Sequence, residues 1–411
     1  MKLASQFKQL DQLLTQLRPL WQVEAFKCRH LPWAELFPTL ADKVWQIADQ
    51  ELESLDADRH SLYHTFLPAL QRDLQANGAD ITVELLHPDA LPLLTPAAKA
   101  QGTQLADDVA AHFSAHIKGR KWQQIQLFAD TIPQSERTVL EWCAGKGHLG
   151  RLIAKQQNRH VTSVEWQAPL CESGQAFATK WQLSQEFVCQ DAFAADSGQY
   201  FKAKQTAVAL HACGDLHVRL LKQASEAGTQ QIAISPCCYH LIQDKYYQPL
   251  STFAKQSELT LSRHDLQLPL QQSVIASDKQ RQQRLQQVAW RLGFDELQRY
   301  QTGVDAYLPV PTMKQSQLNQ GFEAFCYWAA EQKQVKLTAP WQAQTFLDKG
   351  IARQRLTRRI DLVAHLFRQA LERWLLLDRV CYLQEQGYRV ELFNFCDFSV
   401  TPRNGLIWAE K

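Results

Sequence analysis

Glycines and acidic residues occur at the ends of three successive predicted β-strands, where they are placed to bind a ligand. The first strand ends in Glu141-Trp-Cys-Ala-Gly145-Lys-Gly147-His-Leu-Gly150. Glycines at a strand-to-helix turn let the backbone approach a ligand closely, and the next helix begins with free N–H groups. Glu165 ends the second strand, where a carboxylate can accept both hydroxyls of a ribose, and Asp191 follows the third, where it can bind an adenine amino group. The pattern predicts a nucleotide-cofactor site.

Two classes of cofactor fit this pattern. Gly145-x-Gly147-x-x-Gly150 followed by Glu165 matches the glycine pattern of dinucleotide-binding proteins. A dinucleotide also needs a turn that binds pyrophosphate, and Glu141 just before the glycines would repel one. The same carboxylate suits the ammonium and sulfonium charges of S-adenosylmethionine, so we favour this methyl donor. The alternative is that these glycines and acids only build the sheet. That is a reasonable explanation for any one of them, but a poor one for all of them together.

The next two predicted strands end in polar and sulfur-containing residues. The fourth ends in His211-Ala-Cys213-Gly-Asp215, and the fifth in Ser235-Pro-Cys237-Cys238-Tyr239-His240. Because ligands of an open α/β sheet bind off the carboxyl ends of its strands, these segments should face the methyl donor. Methyl transfer needs an in-line nucleophile and, for a hydroxyl or a protonated nitrogen, a proton acceptor. The candidate catalytic residues are His211, Asp215, Cys237, Cys238, Tyr239 and His240.

Several roles stay open for these residues. His211, Asp215 and His240 are the available bases, and Tyr239 can stack on a planar acceptor. A thiolate of Cys237 or Cys238 could add to a pyrimidine ring before carbon methylation. The cysteines and histidines could instead hold zinc, or the cysteines could simply pack the strand ends. We assign no metal, because no CxxC pair exists and adjacent cysteines chelate awkwardly.

These residues require a parallel sheet to position them. From Arg137 onward, strand-like runs (TVLEWC, HVTSVEW, EFVCQDA, TAVALHAC and QIAISPC) alternate with helix-like ones. That alternation predicts a doubly wound α/β sheet. GYRVELFNF and GLIWAEK predict a C-terminal antiparallel pair that completes the sheet. Residues 1–100 and about 250–380 have helical periodicity, so they predict an N-terminal helical domain and a helical insertion.

The composition limits the class of protein and of partner. Hydrophobic residues make up 45% of the 411 residues and charged residues 21%, as in a folded protein, and the net charge of +2 excludes a chain-wide field for polyanions. No run of 18 apolar residues or secretory leader is apparent, so we expect no membrane contact. The ten cysteines then fit reduced thiols in a cytoplasm.

One basic helix is a candidate nucleic-acid surface. Between Lys349 and Arg373 lie seven Lys/Arg and only two Asp/Glu. Apolar residues recur at helical spacing, which predicts a buried stripe at Leu356, Ile360, Val363, Phe367, Leu371 and Trp374. The remaining positions predict a phosphate-contacting ridge at Arg353, Arg355, Arg358 and Arg359. A solvated helix face is the alternative.

GKGHLG, LHACGDL, SPCCYH and TPRNGLIWAEK together resemble a known family. They are similar to class I S-adenosylmethionine-dependent methyltransferases related to eukaryotic tRNA 2′-O-methyltransferases, and to the methyltransferase half of glutathione S-transferase C-terminal-domain-containing proteins. The resemblance covers about residues 115–245 and 380–411. It implies a Rossmann-like fold, with residues 101–411 as a methyltransferase domain that contains the insertion.

The resemblance also implies roles for single residues. The methionine moiety would be contacted between Glu141 and Gly147, including Cys143, Ala144 and Gly145. The ribose would be contacted by Glu165, and the adenine by Asp191 with Ala192. Cys143 stands where such enzymes usually have a glycine.

Three hypotheses follow from the sequence. The first is a methyltransferase that acts on RNA, tRNA or rRNA, at a ribose hydroxyl or a base. The second is a methyltransferase for a protein or a small molecule, which the nearly neutral charge favours. The third is a non-catalytic binding module that retains the sheet. The oligomeric state and the acceptor atom are not determined by the sequence.

Overall fold

Seven strands form one mixed sheet in the computed structural model, which describes residues 2–91, 93, 107–271, 278–312 and 319–411. The strands are β1 (Thr138–Trp142), β2 (Val161–Glu165), β3 (Gln185–Cys189), β4 (Gln205–Cys213), β5 (Gln231–Cys237), β6 (Arg389–Asn394) and β7 (Gly405–Glu410). Their spatial order is β3-β2-β1-β4-β5-β7-β6. β1 to β5 pair in parallel, and β7 pairs antiparallel with both β5 and β6. The predicted Rossmann-like α/β fold with a C-terminal antiparallel pair is confirmed.

Fifteen α-helices are present in the described part of the chain. They are α1 (Lys2–Gln16), α2 (Arg18–Trp21), α3 (Pro38–Gln46), α4 (Leu52–Ala57), α5 (Arg59–Ala76), α6 (Asp107–Ser114), α7 (Gly119–Ala129), α8 (His148–Gln157), α9 (Ala168–Lys180), α10 (Asp215–Glu226), α11 (Thr252–Lys255), α12 (Asp278–Thr302), α13 (Phe322–Gln332), α14 (Ala343–Ala364) and α15 (Arg368–Glu385). Short 3₁₀ helices occupy Ala25–Lys27, Val83–Leu86, Ala195–Tyr200, Asp265–Leu270 and His365–Phe367. None of the described helices is long and apolar enough to cross a membrane.

The central strands of the sheet are buried, whereas the edge strand β3 is partly exposed. Every residue of β5, from Gln231 to Cys237, is buried, as expected of a central strand covered by helices. On one face, Val139, Val161 and Val208 pack in a core that also contains Phe128 of α7 and Leu152 of α8. At about 25 cal/mol per Å² of buried apolar surface, such packing is the main stabilising contribution to the fold.

The chain divides into two compact units by contact. Unit 1 comprises residues 1–12, 91–270 and 371–411, and it contains the whole sheet. Unit 2 comprises residues 13–90 and 271–370. Aromatic and aliphatic side chains of α12, α13 and α14, including Trp290, Phe325 and Phe346, form a hydrophobic core in unit 2. The sequence predicts an N-terminal domain at residues 1–100 and an insertion at about 250–380. These domain boundaries remain a prediction.

Candidate active site

A tight loop joins β1 to α8. Three successive odd-numbered residues have left-handed backbone: Cys143 (φ +56°), Gly145 (φ +58°) and Gly147 (φ +65°). The N–H of Ala144 donates to the carbonyl of Val164 at 3.0 Å, which ties the loop to β2. A Cβ at Gly147 would lie 2.3 Å from the Phe187 ring, whereas one at Gly145 would meet nothing within 4 Å. The loop is therefore packed on one side and open at Gly145, where a ligand can approach the backbone.

Glu141 lies beneath this loop with its carboxyl group buried. The hydroxyl of Ser163 donates to Oε2 of Glu141 at 2.7 Å. Burial raises the pKa of Glu141 to about 7, although the Ser163 hydroxyl and the backbone N–H groups of Gly150 and Leu149 act in the opposite direction. The carboxyl group thus caps the start of α8 from below. It holds the loop in place rather than facing solvent.

Glu165 connects the loop to the end of β2. Its Oε2 accepts the N–H of Gly145 at 2.9 Å, and its Oε1 accepts the N–H of Gln167 at 3.0 Å. Each carboxylate oxygen has a second lone pair, so Glu165 can accept further hydrogen bonds from a ligand. Glu165 and Gly145, which the sequence predicts to bind the cofactor, are therefore in direct contact in the structure.

The end of β3 contributes an exposed acid with aromatic neighbours. Asp191 is exposed, and its Oδ1 accepts the N–H of Phe193 at 2.9 Å, while Ala192 beside it is buried. Phe193 and Trp166 have exposed fractions of 39% and 68%. Trp166 directly follows Glu165 and was missed by the sequence analysis. Its position just after the predicted ribose-binding acid was the sequence signal that could have revealed it.

We call Glu141–Gly147, Glu165 and Asp191 the glycine edge.

The ends of β4 and β5 bring three thiols together. The Sγ atoms of Cys213 and Cys237 are 3.4 Å apart, and those of Cys213, Cys237 and Cys238 all lie within 4.8 Å of one another. Hydrogen bonds with Cys213 and Cys238 raise the pKa of Cys237. Hydrogen bonding from Cys237 lowers the pKa of Cys238 to about 5, and the nearby charges of His240 and Arg403 act in the same direction. We call residues Cys213–Asp215 and Cys237–His240 the thiol edge.

Backbone contacts hold the rest of the thiol edge. Oδ2 of Asp215 accepts the N–H of Gln243 at 2.7 Å, and the N–H of Asp215 donates to the carbonyl of Leu241 at 3.1 Å. Among the described residues, the hydroxyl of Tyr239 and the Nδ1 of His240 have no hydrogen-bond partner. The backbone of His211 lies in β4, but its side chain is outside the described part of the structure.

A buried polar network lies behind the thiol edge. Nε of Arg379 donates to Nε2 of His217 at 2.8 Å, and Nδ1 of His217 lies 3.1 Å from the carbonyl of Ala212. Burial and then the Arg379 charge lower the pKa of His217, so it is neutral. Asp378 accepts the Tyr247 hydroxyl and the N–H groups of Leu250 and Ser251. Asp378 and Arg379 could not be recognised from the sequence, because nothing in a helix sequence shows which distant loop the helix contacts.

The predicted arginine ridge is corrected by the structure. Arg353 and Arg359 are buried, with exposed fractions of 6% and 1%, in unit 2. Arg353 pairs with Asp295 and Glu296, and Arg359 pairs with Asp49 at 2.8 Å. A buried guanidinium needs such partners, and these acids are remote in sequence, so the charge run did not reveal them.

The other two arginines of this set also have partners within unit 2. Nε of Arg355 lies 2.6 Å from Oδ2 of Asp49, although the Arg355 side chain is half exposed. Arg358 donates to the backbone carbonyl of Asp49 at 3.0 Å. Burial lowers the pKa of Arg358. None of the four is an unpaired cation on an open ridge. The predicted apolar stripe is buried: Leu356, Ile360, Val363, Phe367, Leu371 and Trp374.

The parallel strands of the sheet lie in a segment of the chain that matches a known protein family. Residues 120–245 match the family described as "Methyltransferase domain", and this segment contains β1 to β5 and both edges. The chain contains a methyltransferase domain. The match covers less than half of the chain, so it describes residues 120–245 and not the whole protein. The finer resemblances, to tRNA 2′-O-methyltransferases and to the glutathione S-transferase-related proteins, remain predictions.

Solved methyltransferase structures are also similar to parts of this chain. An rRNA methylase from Streptococcus thermophilus is 13% identical over 30% of this chain and 74% of its own, with a TM-score of 0.24. The tRNA (uracil-54, C5)-methyltransferase of Pyrococcus abyssi, in complex with S-adenosyl-L-homocysteine, is 19% identical over 28% of this chain and 29% of its own, with a TM-score of 0.24. Magnesium protoporphyrin IX methyltransferase from Synechocystis PCC 6803, with bound S-adenosyl-L-homocysteine, is 14% identical over 32% and 60%, with a TM-score of 0.23. The last two matches cover less than two thirds of those proteins. The methyl acceptors given in their names are therefore not assigned to this chain.

Proposed function

We propose that the protein transfers a methyl group from S-adenosylmethionine to RNA, at a ribose hydroxyl or a base of tRNA or rRNA. The observation that carries the cofactor part is the contact between Glu165 and the open loop at Gly145, in a methyltransferase domain where Asp191 follows the next strand, β3. The acceptor part rests on the charges and aromatic rings around the strand ends, described below.

The glycine edge fits the cofactor in its chemistry. Glu165 keeps acceptor capacity for two ribose hydroxyls after binding the N–H groups of Gly145 and Gln167. Asp191 is exposed and suited to accept an adenine amino group beside Phe193. The residues that would hold the cofactor are Glu141, Cys143, Ala144, Gly145, Gly147, Glu165, Asp191 and Ala192. Glu141 would act through the loop that it caps. When bound, S-adenosylmethionine supplies an electrophilic methyl group.

The thiol edge would hold the acceptor. His211, Asp215 and His240 stand at the ends of β4 and β5 and are candidates to accept the proton that leaves a hydroxyl or nitrogen. The fully buried ring of Tyr239 is held against the Arg379 guanidinium, 5.2 Å from its centroid. Because only 1% of Tyr239 is exposed, its ring supports the acceptor side from behind and does not stack on a planar acceptor as the sequence suggested.

RNA is favoured by exposed cations and aromatic rings on and beside the loops at these edges. Burial, and then the charges of Arg151, Lys121 and Lys146, lower the pKa of His148 to about 3, so Lys121 at the start of α7 and Lys146 in the loop after β1 lie near one another. In the loop after β5, the ammonium of Lys245 lies 5.0 Å from the exposed ring of Tyr246. Lysines neutralise phosphates, and exposed rings such as Trp166 can stack on bases that are not paired.

A protein or small-molecule acceptor is the second candidate, favoured by the internal pairing of the arginines. Arg353, Arg358 and Arg359 bind acids and carbonyls within unit 2, so the largest basic cluster in the sequence is not available for phosphates. A smaller acceptor does not require that cluster.

Labelled S-adenosylmethionine tests the proposal. The purified full-length protein is incubated with the labelled donor and a lysate from cells that lack the protein, and label is counted in RNA, protein and small molecules. Label in RNA, abolished by E165A and retained by E186Q, is the expected result. Glu186 is a suitable control because its side chain is exposed on β3, where it contacts His160 and Thr162. Label in protein or small molecules instead would overturn the RNA assignment.

Charge reversal tests the RNA surface separately. The double variant K121E/K245E should weaken RNA binding and reduce the slope of log affinity against log salt by about two, one for each lost phosphate contact. The control K336E changes an exposed lysine of unit 2 and should leave the slope unchanged. Equal slopes in all three proteins would contradict binding through this surface.

A further inference from the structure

We propose that Cys213, Cys237 and Cys238 bind one Zn²⁺ ion through three thiolates at the ends of β4 and β5. The proposal is independent of the methyl acceptor, because metal binding is measured on the protein alone. Thiolates are soft ligands, and a compact group of them selects zinc or copper(I) over hard cations such as Mg²⁺. Zinc is the ion we assign, because three thiolates provide three corners of its preferred tetrahedron.

The distances between the sulfur atoms match such a site. Zn–S bonds of about 2.3 Å in a tetrahedron place sulfur atoms about 3.8 Å apart. In the structure, Cys213 and Cys237 are 3.4 Å apart at their Sγ atoms, and no pair among the three exceeds 4.8 Å. A disulfide would require about 2.05 Å, so no disulfide joins these three cysteines. Shifts of well under 1 Å would bring all three onto one ion.

The backbone explains how two adjacent cysteines can face the same ion. Neighbouring residues of a strand normally point to opposite faces, and Cys237 is the last residue of β5. Cys238 follows with φ +39°, a left-handed conformation that interrupts the alternation. Its Sγ consequently lies on the same side as that of Cys237. On β4, the pairing with β5 is irregular between Leu210 and Cys213, which sets Cys213 opposite Cys237.

The surroundings leave a fourth position for the ion. Cys237 is buried, but Cys213 and Cys238 are only partly buried, so the cluster is open on one side. Zinc sites with three protein ligands keep the fourth for water or a substrate atom. Three thiolates and Zn²⁺ carry a net charge of −1, and the positive charge of Arg403 lies close to Cys238. The open side belongs to the edge where the methyl acceptor would bind.

A second group of potential ligands must be separated in the experiment. Ligand atoms of His60, His87 and Asp89 also lie within 4.8 Å of one another, on the surface of unit 2. Nδ1 of His87 already accepts the N–H of Asp89 at 3.1 Å, and His60 and Asp89 are exposed. This group contains no sulfur. Cobalt(II) substitution distinguishes the two, because only thiolate ligands give intense sulfur-to-cobalt charge-transfer absorption.

The experiment uses the full-length protein, reduced and stripped of metal with a chelator. Co²⁺ is titrated while charge-transfer absorption is recorded, and Zn²⁺ is then added in competition with a chromogenic chelator. The variants are C213S and C238S, with C28S as the control, since Cys28 is a partly buried cysteine of unit 2. Circular dichroism melting verifies that each variant is folded. C237S is not needed, which avoids a substitution at a fully buried strand position.

We expect one equivalent of Co²⁺ to produce thiolate absorption that one equivalent of Zn²⁺ abolishes. C213S and C238S should lower zinc affinity at least about 100-fold, since even the loss of an outer-shell partner costs 10–100-fold. C28S should behave as the wild type. Absence of thiolate absorption in the reduced wild type, or wild-type affinity in folded C213S and C238S, would overturn the site. Zinc binding without methyl transfer would overturn the proposed function and leave this site standing.

Discussion

The glycine edge and the thiol edge lie at the same end of one sheet but are held in different ways. At the glycine edge, Glu165 binds the N–H of Gly145, twenty residues before it, and Glu141 accepts the hydroxyl of Ser163 on the next strand. At the thiol edge, Tyr239 and its neighbour His217 pack against Arg379, which comes from α15 more than 130 residues later. Hydrogen bonds between residues 20 and 22 positions apart hold the first edge, whereas the second also depends on a helix that is remote in sequence.

This difference has a consequence for function. An edge built from backbone N–H groups and carboxylates keeps the same shape whatever acceptor the enzyme uses, which suits a cofactor site. An edge that depends on a remote helix can change its chemistry when that helix changes, which suits the acceptor.

Removing Asp378 should have the largest effect, because the thiol edge depends on buried long-range contacts. D378A leaves the Tyr247 hydroxyl and the N–H groups of Leu250 and Ser251 without their acceptor. We expect the free energy of unfolding to fall by about 3–5 kcal/mol, measured by urea denaturation. The control E385Q, at a carboxylate that the structure places on the surface, should cost less than about 1 kcal/mol. Equal losses in both variants would contradict the comparison.

At the glycine edge, we expect the ionisation of Glu141 to make the stability of the protein depend on pH. Burial raises the pKa of Glu141 from 4.5 to about 7, so the folded state favours the protonated acid. Its contribution to stability is complete below pH 4.5 and is lost as the pH rises through 7. Between pH 5 and pH 8 the wild type should lose about 2.5 kcal/mol relative to E141Q, which cannot ionise. Parallel stability curves for the two proteins would show that Glu141 does not titrate in this range.

Gly150 tests how closely α8 approaches Glu141. A Cβ there would lie 2.4 Å from Oε2 of Glu141 and 2.7 Å from Nε2 of Gln185. G150A should therefore destabilise the protein by about 1–3 kcal/mol, although alanine normally favours a helix. In the control G119A, the added Cβ has no atom within 4 Å. This substitution should change the free energy of unfolding by less than about 0.5 kcal/mol. A stabilised G150A would mean that the loop has room the structure does not show.

Tyr239 should give the smallest effect on stability. Its buried hydroxyl has no hydrogen-bond partner among the described residues, so Y239F removes only an unsatisfied group. The stability should stay the same or rise by up to about 1 kcal/mol. Y388F is the matched contrast, because the Tyr388 hydroxyl donates to the carbonyl of Thr229 at 2.7 Å and its loss should cost about 1 kcal/mol. If Y239F is the more destabilised of the two, the Tyr239 hydroxyl makes a stabilising hydrogen bond in solution.

Much of the fold was predictable because its signals are local. All five parallel strands and the C-terminal antiparallel pair were visible as short apolar runs between helical segments. The glycine edge was predictable for the same reason, since Gly145, Glu165 and Asp191 each stand at the end of a recognisable strand. Parallel strands bring their carboxyl ends to one edge of the sheet, so their positions in the sequence imply their proximity.

The arginines and the thiols were decided by tertiary structure. A run of positive charge on α14 gives no indication that Asp49 and Asp295, far away in sequence, neutralise Arg359 and Arg353. Likewise, adjacent cysteines on a strand should point apart, and only the left-handed backbone at Cys238 turns its sulfur toward Cys213. The sheet and the positions of the glycine-edge residues follow from the sequence alone, because strand ends and turns are set by neighbouring residues. Burial, ion pairing and the meeting of three sulfurs depend on residues that only the folded chain brings together.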